Sequence, residues 1–153
     1  MTKIKFDYSK ACIYKIVCRD PEIKDCYVGS TTNLIKRRSQ HKCACNSENS
    51  KGYNRYKYQF IRENGGFDNW QVLEIEKVDC KSKEELLRRE RYYVEKLHAS
   101  LNKNIPNRTK KESDLIRQIP RKCECGGSFS DKHKTRHYIT KMHINFVKSK
   151  SCI

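Results

Sequence analysis

Ala11-Cys12-Ile13-Tyr14-Lys15-Ile16-Val17-Cys18, a polar loop from Arg19 to Asp25, then Cys26-Tyr27-Val28-Gly29: this stretch decides the reading of the chain. Both runs are apolar and β-rich, and the loop between them carries Asp20, Pro21 and Asp25, so a β-hairpin is predicted. Downstream, Asn33 can cap a helix from Leu34 to about His41. Tyr56–Glu63 reads as a second helix, stopped by Gly65-Gly66. Trp70 to Val78 is rich in β-formers, with Trp70, Val72, Ile75 and Val78 apolar, and predicts a third strand. Ser82-Lys83-Glu84-Glu85 has the spacing of a capping box and opens a helix over about residues 83–98. The pattern is α+β: a three-stranded antiparallel sheet flanked by helices.

A length of 153 residues suits one average domain, or a small one with an appended module. Hydrophobic residues make up 36% and charged residues 34%, yet 10% aromatics argue against wholesale disorder. No apolar run reaches the roughly 18–20 residues of a membrane-spanning helix, so no membrane partner is expected. The start, Met1 to Asp7, has no apolar signal-peptide core, so secretion is not expected. Lys plus Arg number 34 against 18 Asp plus Glu, a net charge of +16 that points to a polyanion, nucleic acid before membrane. Nine cysteines, an odd count without a secretion signal, predict reduced thiols and an intracellular, reducing compartment, cytoplasm or nucleus. Cys12, Cys18, Cys26 and Cys80 lie in apolar stretches and read as small core residues, while Cys43 and Cys45 sit in a polar stretch.

The long helix gives the sharpest local clue. At 100° per residue, Leu86, Tyr93, Val94 and Leu97 share one stripe, with Glu90 near its middle. Glu84, Arg88, Arg91 and Glu95 fall on the opposite side, as solvated charges should. Burying a lone carboxylate costs several kcal/mol unless a cation, a metal or hydrogen bonds satisfy it. Glu90 is therefore either half of a buried ion pair, with Arg37 or another arginine, or a metal-binding carboxylate on the floor of a cleft.

The hairpin narrows the choice. Cys12-Ile13-Tyr14 and Tyr27-Val28-Gly29 resemble the two signatures of the GIY-YIG nuclease family. The continuation is similar as well, with Arg37 eight residues after Gly29 and His41 four later. So is the helix Leu86–Leu97 around Glu90, followed by Leu101-Asn102. The resemblance covers roughly residues 11–105, with Cys12 in place of the first glycine and Val28 in place of isoleucine. It implies metal-dependent hydrolysis of a phosphodiester in DNA, double-stranded or branched. Glu90 would hold one divalent cation, Mg²⁺ or Mn²⁺, since a hard oxygen ligand with several waters suits such an ion. Arg37 would place its planar fork on the phosphate. Tyr14, with Tyr27 beside it, would orient or deprotonate the attacking water. A phenol titrates near 10, so Tyr14 acts as base only if positive charge lowers that value. His41, at i+4 from Arg37, is the alternative proton acceptor. Asn102 would hydrogen-bond the substrate or Tyr27, with Asn104 a close competitor. Gly29 reads as a close-packing residue rather than a substrate contact. A double-strand break from one active site needs a transient homodimer or two successive nicks. The rival reading is a catalytically silent nucleic-acid-binding protein on the same scaffold, against which the intact set Tyr14, Tyr27, Arg37 and Glu90 argues.

Past Asn102 the composition changes. The expected domains are a nuclease domain over 1–108, a basic linker over 109–120 with a marginal helix near Glu112–Ile119, and a Cys/His module over 121–153. There are 23 basic and 14 acidic residues through position 108, and 11 and 4 after it, so both parts suit the same polyanion. Cys123, Cys125, His137 and His143 follow a C-x-C-x11-H-x5-H spacing close to that of a C2H2 zinc finger. In a strand, thiols at i and i+2 face one side, Gly126-Gly127 supplies a turn, and Phe129 is the one large core residue. So small a module cannot fold on hydrophobic burial alone, a physical reason for a structural Zn²⁺. His133 competes with His143 as a ligand, but leaves too few residues after Cys125 for a turn and a strand. An H-x5-H spacing spans 600° of ideal helix, so the helix must loosen between the two histidines.

Overall fold

The computed structural model describes residues 7–150; the N-terminal stretch read for a signal peptide and the end of the Cys/His module, Cys152 included, lie outside them. The chain divides into two compact units, residues 1–107 and 108–153. In the first, strands β1 (Ala11–Cys18), β2 (Cys26–Thr31) and β3 (Trp70–Val78) form an antiparallel sheet in the order β2-β1-β3. The central strand is the most apolar in the chain, as a strand buried on both faces must be. Helices α1 (Leu34–Asn46) and α2 (Tyr56–Glu63) cover one face. There Tyr14, Ile16 and Cys18 pack with Cys45, Tyr58, Ile61 and Trp70. Helix α3 (Lys83–Lys96) covers the other, where Ala11, Ile13, Cys26 and Val28 meet Leu86 and Val94. The alternation along β1 thus splits the core in two.

The strands and α2 fall where the sequence sets them. Asn33 caps α1 by accepting from the Lys36 N–H, but the helix runs five residues past His41. Its last turn is anchored by buried Cys45, whose carbonyl accepts from Arg62. Ser82 caps α3 through the Glu85 N–H, while the Glu85 carboxylate reaches the Lys81 N–H, one residue beyond a closed capping box. Cys12, Cys18, Cys26 and Cys80 are buried, as expected of core residues. Cys45 is buried too, against the polar look of its neighbours, and Cys43 is exposed. No described cysteine is in a disulfide.

Two details of the hairpin set up everything that follows. Tyr14 lies directly opposite Gly29, and the β1–β3 register shifts by one residue between Ile13 and Tyr14. Such a bulge re-aims the side chain beside it. A Cβ at position 29 would stand 2.5 Å from the Tyr14 hydroxyl oxygen. Gly29 is therefore the space into which the Tyr14 phenol fits.

The second unit is built differently. The stretch expected as a basic linker forms α4 (Lys110–Gln118), closed at its start by a full capping box between Thr109 and Glu112, and it belongs to the same compact unit as the Cys/His residues. A short hairpin follows, β4 (Arg121–Lys122) and β5 (Ser128–Phe129), then α5 (Lys134–Tyr138) and α6 (Lys141–Lys150). Among the described residues of this unit, His137 alone is buried. Leu115, Ile119, Ile139 and Met142 stay exposed, so apolar burial contributes little to its stability.

Candidate active site and metal cluster

The Tyr14 hydroxyl is the meeting point of the first unit. Tyr14 is fully buried, and its oxygen lies 2.7 Å from Nε2 of His41 and 3.1 Å from Nε of Arg37, which donates to it. Arg37 and His41 reach the same atom because they are one helical turn apart on α1. On its other side, Nδ1 of His41 lies 2.8 Å from the hydroxyl of Tyr58. The rings of Tyr14, Tyr27 and Tyr58 stand 5.6, 5.7 and 5.9 Å from that imidazole. His41 is only 1% exposed, and burial, with Lys57 and Arg37 nearby, pushes its pKa down to about 3. The ring is therefore neutral at physiological pH, with one nitrogen donating and one accepting. Burial pushes the Tyr14 and Tyr27 phenols up, outweighing the Arg37 charge beside them, so the condition set above for Tyr14 as a base is not met in the free protein.

Glu90 rises from α3 beside the β2 edge, half-buried as its place on the apolar stripe requires. Its Oε2 accepts from the Ser30 hydroxyl at 2.5 Å. It makes no ion pair among the described residues, so the pairing with Arg37 or another arginine weighed above is not formed there. Burial raises its pKa above the usual carboxylate value, opposed by the Ser30 hydrogen bond, then Arg37 and Lys57. The opposite face of the helix carries Arg88–Glu84 and Arg91–Glu95 pairs. Glu90 and Tyr27 line a cleft of about 580 Å³ with Arg55, Lys57, Asn102 and Lys103. Asn102 is spent on the backbone: its Oδ1 accepts from the Val28 N–H and its Nδ2 donates to the Val28 carbonyl, both at 2.8 Å. With the Leu101 N–H on the Cys26 carbonyl, it holds the outer edge of β2. Asn104 lines the cleft without such a role.

In the second unit, one ligand atom each of Cys123, Cys125, His137 and His143 lies within 4.8 Å of the other three. Cys123 Sγ is 3.4 Å from His143 Nδ1, and Cys125 Sγ is 3.4 Å from His137 Nε2. Ligands of tetrahedral Zn²⁺ stand about 3.3–3.8 Å apart, given bonds of about 2.0–2.3 Å, so the set fits that ion. The two thiols sit in the turn between β4 and β5 rather than on a strand. The helix breaks between the histidines, where Thr140 bonds the His137 carbonyl and accepts from the His143 N–H. His133 stands outside the cluster. Phe129 stacks on His137 with centroids 4.9 Å apart, and a Cβ on Gly127 would stand 2.8 Å from the His137 ring.

A family model described as the GIY-YIG catalytic domain matches residues 10–104. The chain belongs to the GIY-YIG family. Neither the curated proteins nor the solved structures compared with the chain give a match. GIY-YIG domains are typically endonucleases that use a divalent metal, and family membership implies a nucleic-acid substrate. No described helix is long and apolar enough to cross a membrane.

Sequence reasoning missed three groups of this GIY-YIG site. Tyr58 and Ser30 carry no signal of their own, being ordinary residues of a helix and a strand end. Lys57 does. It precedes buried Ile61 by one helical turn, so it is a charge on an apolar stripe, the same anomaly that singles out Glu90.

The depressed His41 value has a direct consequence. The neutral ring contributes stability above the ordinary histidine value of about 6.5, and this is lost as the pH falls toward 3. In a ¹H–¹⁵N titration the His41 ring should keep its neutral signature from pH 8 down to pH 5. A midpoint near 6.5 would mean the ring is solvated rather than sealed between Tyr14 and Tyr58.

Proposed function

We propose that this chain is a metal-dependent endonuclease that hydrolyses DNA phosphodiesters in the Glu90 cleft, with the Cys/His unit adding grip on the nucleic acid. The observation that carries the reading is that Tyr27 and Glu90 line one cationic cleft, with Tyr14 packed behind Tyr27 and bonded to Arg37, so that four elements bring the set together. Glu90 suits a divalent cation: one carboxylate oxygen is held by Ser30, leaving the other for a hard ion that keeps most of its waters. When bound, Mg²⁺ or Mn²⁺ supplies the charge that polarises the scissile phosphate and stabilises the leaving oxygen.

The protein groups do the rest. The Arg37 guanidinium is fixed by Nε on Tyr14 and Nη1 on Gln40, so its remaining N–H groups are oriented for phosphate oxygens. Tyr14 Oη handles the proton. Tyr27, on the cleft wall, takes one from the attacking water as its own passes to Tyr14 Oη. The Tyr14 proton passes in turn to His41 Nε2, and the His41 Nδ1–H stays on Tyr58. Burial resists charge on His41 in the free protein, and an arriving phosphate anion offsets that resistance. Asn102 acts as a positioning residue, holding Val28 and so the Tyr27 backbone in register. Each cleft cuts one strand, so a double-strand break takes a transient homodimer or two successive nicks.

In the second unit, Cys123, Cys125, His137 and His143 would hold one structural Zn²⁺. A unit whose described residues include a single buried one needs such a staple, and four protein ligands leave no position for a reactive water.

Incubation of supercoiled plasmid with Mg²⁺ or with EDTA tests the nuclease reading. Nicking should require the metal, vanish in Glu90→Gln, and fall about a hundredfold or more in Arg37→Ala. Binding of DNA by the wild type without any cleavage would favour the silent scaffold instead. Metal analysis should find one zinc per chain, and its removal should unfold the second unit while the first keeps its structure. Purified protein free of zinc, with the second unit still folded, would contradict the staple.

A further inference from the structure

Lys57 is the least explained charge in the first unit. It is 8% exposed, and among the described residues its ammonium has no hydrogen-bond or ion-pair partner. It rests instead over the Tyr27 ring, 3.5 Å from the centroid, and 5.0 Å from that of Tyr58. The stem is buried while the ammonium opens on the cleft, and a half-desolvated charge with no direct ion pair favours an arriving anion. Lys57 also stands at the start of α2, whose first turn has no side-chain cap. The first helix bonds there run from the Tyr58 and Gln59 N–H groups to the Arg55 carbonyl. The N–H groups of Tyr56 and Lys57 therefore find no acceptor among the described residues. Uncapped N–H groups at the positive end of a helix are a ready anion site. Arg55 and Lys103 line the same cleft, and Lys103 is held 3.8 Å over the Tyr56 ring.

We infer that the start of α2, with Lys57 and Arg55, is a phosphate subsite of the Glu90 cleft that takes a backbone phosphate of the substrate strand. The inference rests on the nuclease reading and extends it to residues outside the Tyr14–Arg37–Glu90 set. Burial, then Arg37 and Arg55, pulls the Lys57 pKa down to about 7 against the opposing charge of Glu90, a value that an arriving anion raises further. The phosphate completes three things at once: the ammonium facing the cleft, the uncapped N–H groups and the positive end of the helix.

The test is equilibrium binding of a short labelled duplex, followed by fluorescence anisotropy over a salt series, in the Glu90→Gln background so that the strand stays intact. Adding Lys57→Met should weaken binding about tenfold or more. It should also lower the slope of log K against log salt by about 0.9, the value for one phosphate contact. Lys57→Arg should keep the slope. A purely structural lysine would lower the unfolding temperature of Lys57→Met and leave the slope unchanged, which overturns the inference. A second measurement needs no change at position 57: in Glu90→Gln, the Lys57 side-chain NMR resonances should move on adding duplex. They should stay in place with inorganic phosphate at equal ionic strength. Resonances unmoved by duplex, or moved equally by inorganic phosphate, would also overturn it. If Glu90→Gln and the wild type bind no duplex at all, the nuclease reading itself falls. If they bind it and Lys57→Met binds as well, only the subsite falls.

Discussion

A phenol hydroxyl sealed inside the sheet–helix interface has to find partners, and the Tyr14 hydroxyl is the constraint on which the GIY-YIG unit depends. Leaving such a group unpaired costs about 1–3 kcal/mol. Satisfying it recruits α1, through Arg37 and His41, and then α2, because His41 must spend its other nitrogen on Tyr58. The phenol fits only because its cross-strand neighbour is Gly29, and the bulge after Ile13 marks where β1 turns it inward. The two signature tripeptides thus work as one packing device, a ring and the space for it.

The electrostatics follow from the same packing. His41 is kept neutral, Glu90 is held in a half-buried position by a serine, and Arg37 and Lys57 face the region with no carboxylate paired to either among the described residues. A protein interior arranged in this way is short of negative charge. The chain as a whole carries +16, so long-range attraction and local demand favour the same kind of partner, a polyanion.

The sheet, the placement of α2 and the start of α1 were legible because they rest on local signals: β-rich runs, an Asn cap, paired glycines. The end of α1 was not, since its last turn is held by burial of Cys45 and a bond from Arg62, both tertiary effects. The structured α4 was underestimated for a related reason. Its Thr109–Glu112 capping box sits in a basic stretch whose composition suggests a tether, and short-range capping outweighs composition there. Periodicity exposed Glu90 as an anomaly, and the same test on the shorter α2 would have exposed Lys57. The work of Asn102 was hidden in kind: a residue that bonds backbone on both sides leaves no trace in a hydrophobic pattern.

The central claim is that the buried Tyr14 hydroxyl organises the site and handles the proton. Single-turnover cleavage by Tyr14→Phe, alongside its DNA affinity and unfolding temperature, tests this most directly. The substitution removes one oxygen and keeps the ring beside Gly29. The account predicts a folded protein that binds DNA about as well as the wild type and cuts it at least a hundredfold more slowly. Cleavage within a few fold of wild type would contradict it, because Arg37 and His41 would then be positioned without the atom on which both converge.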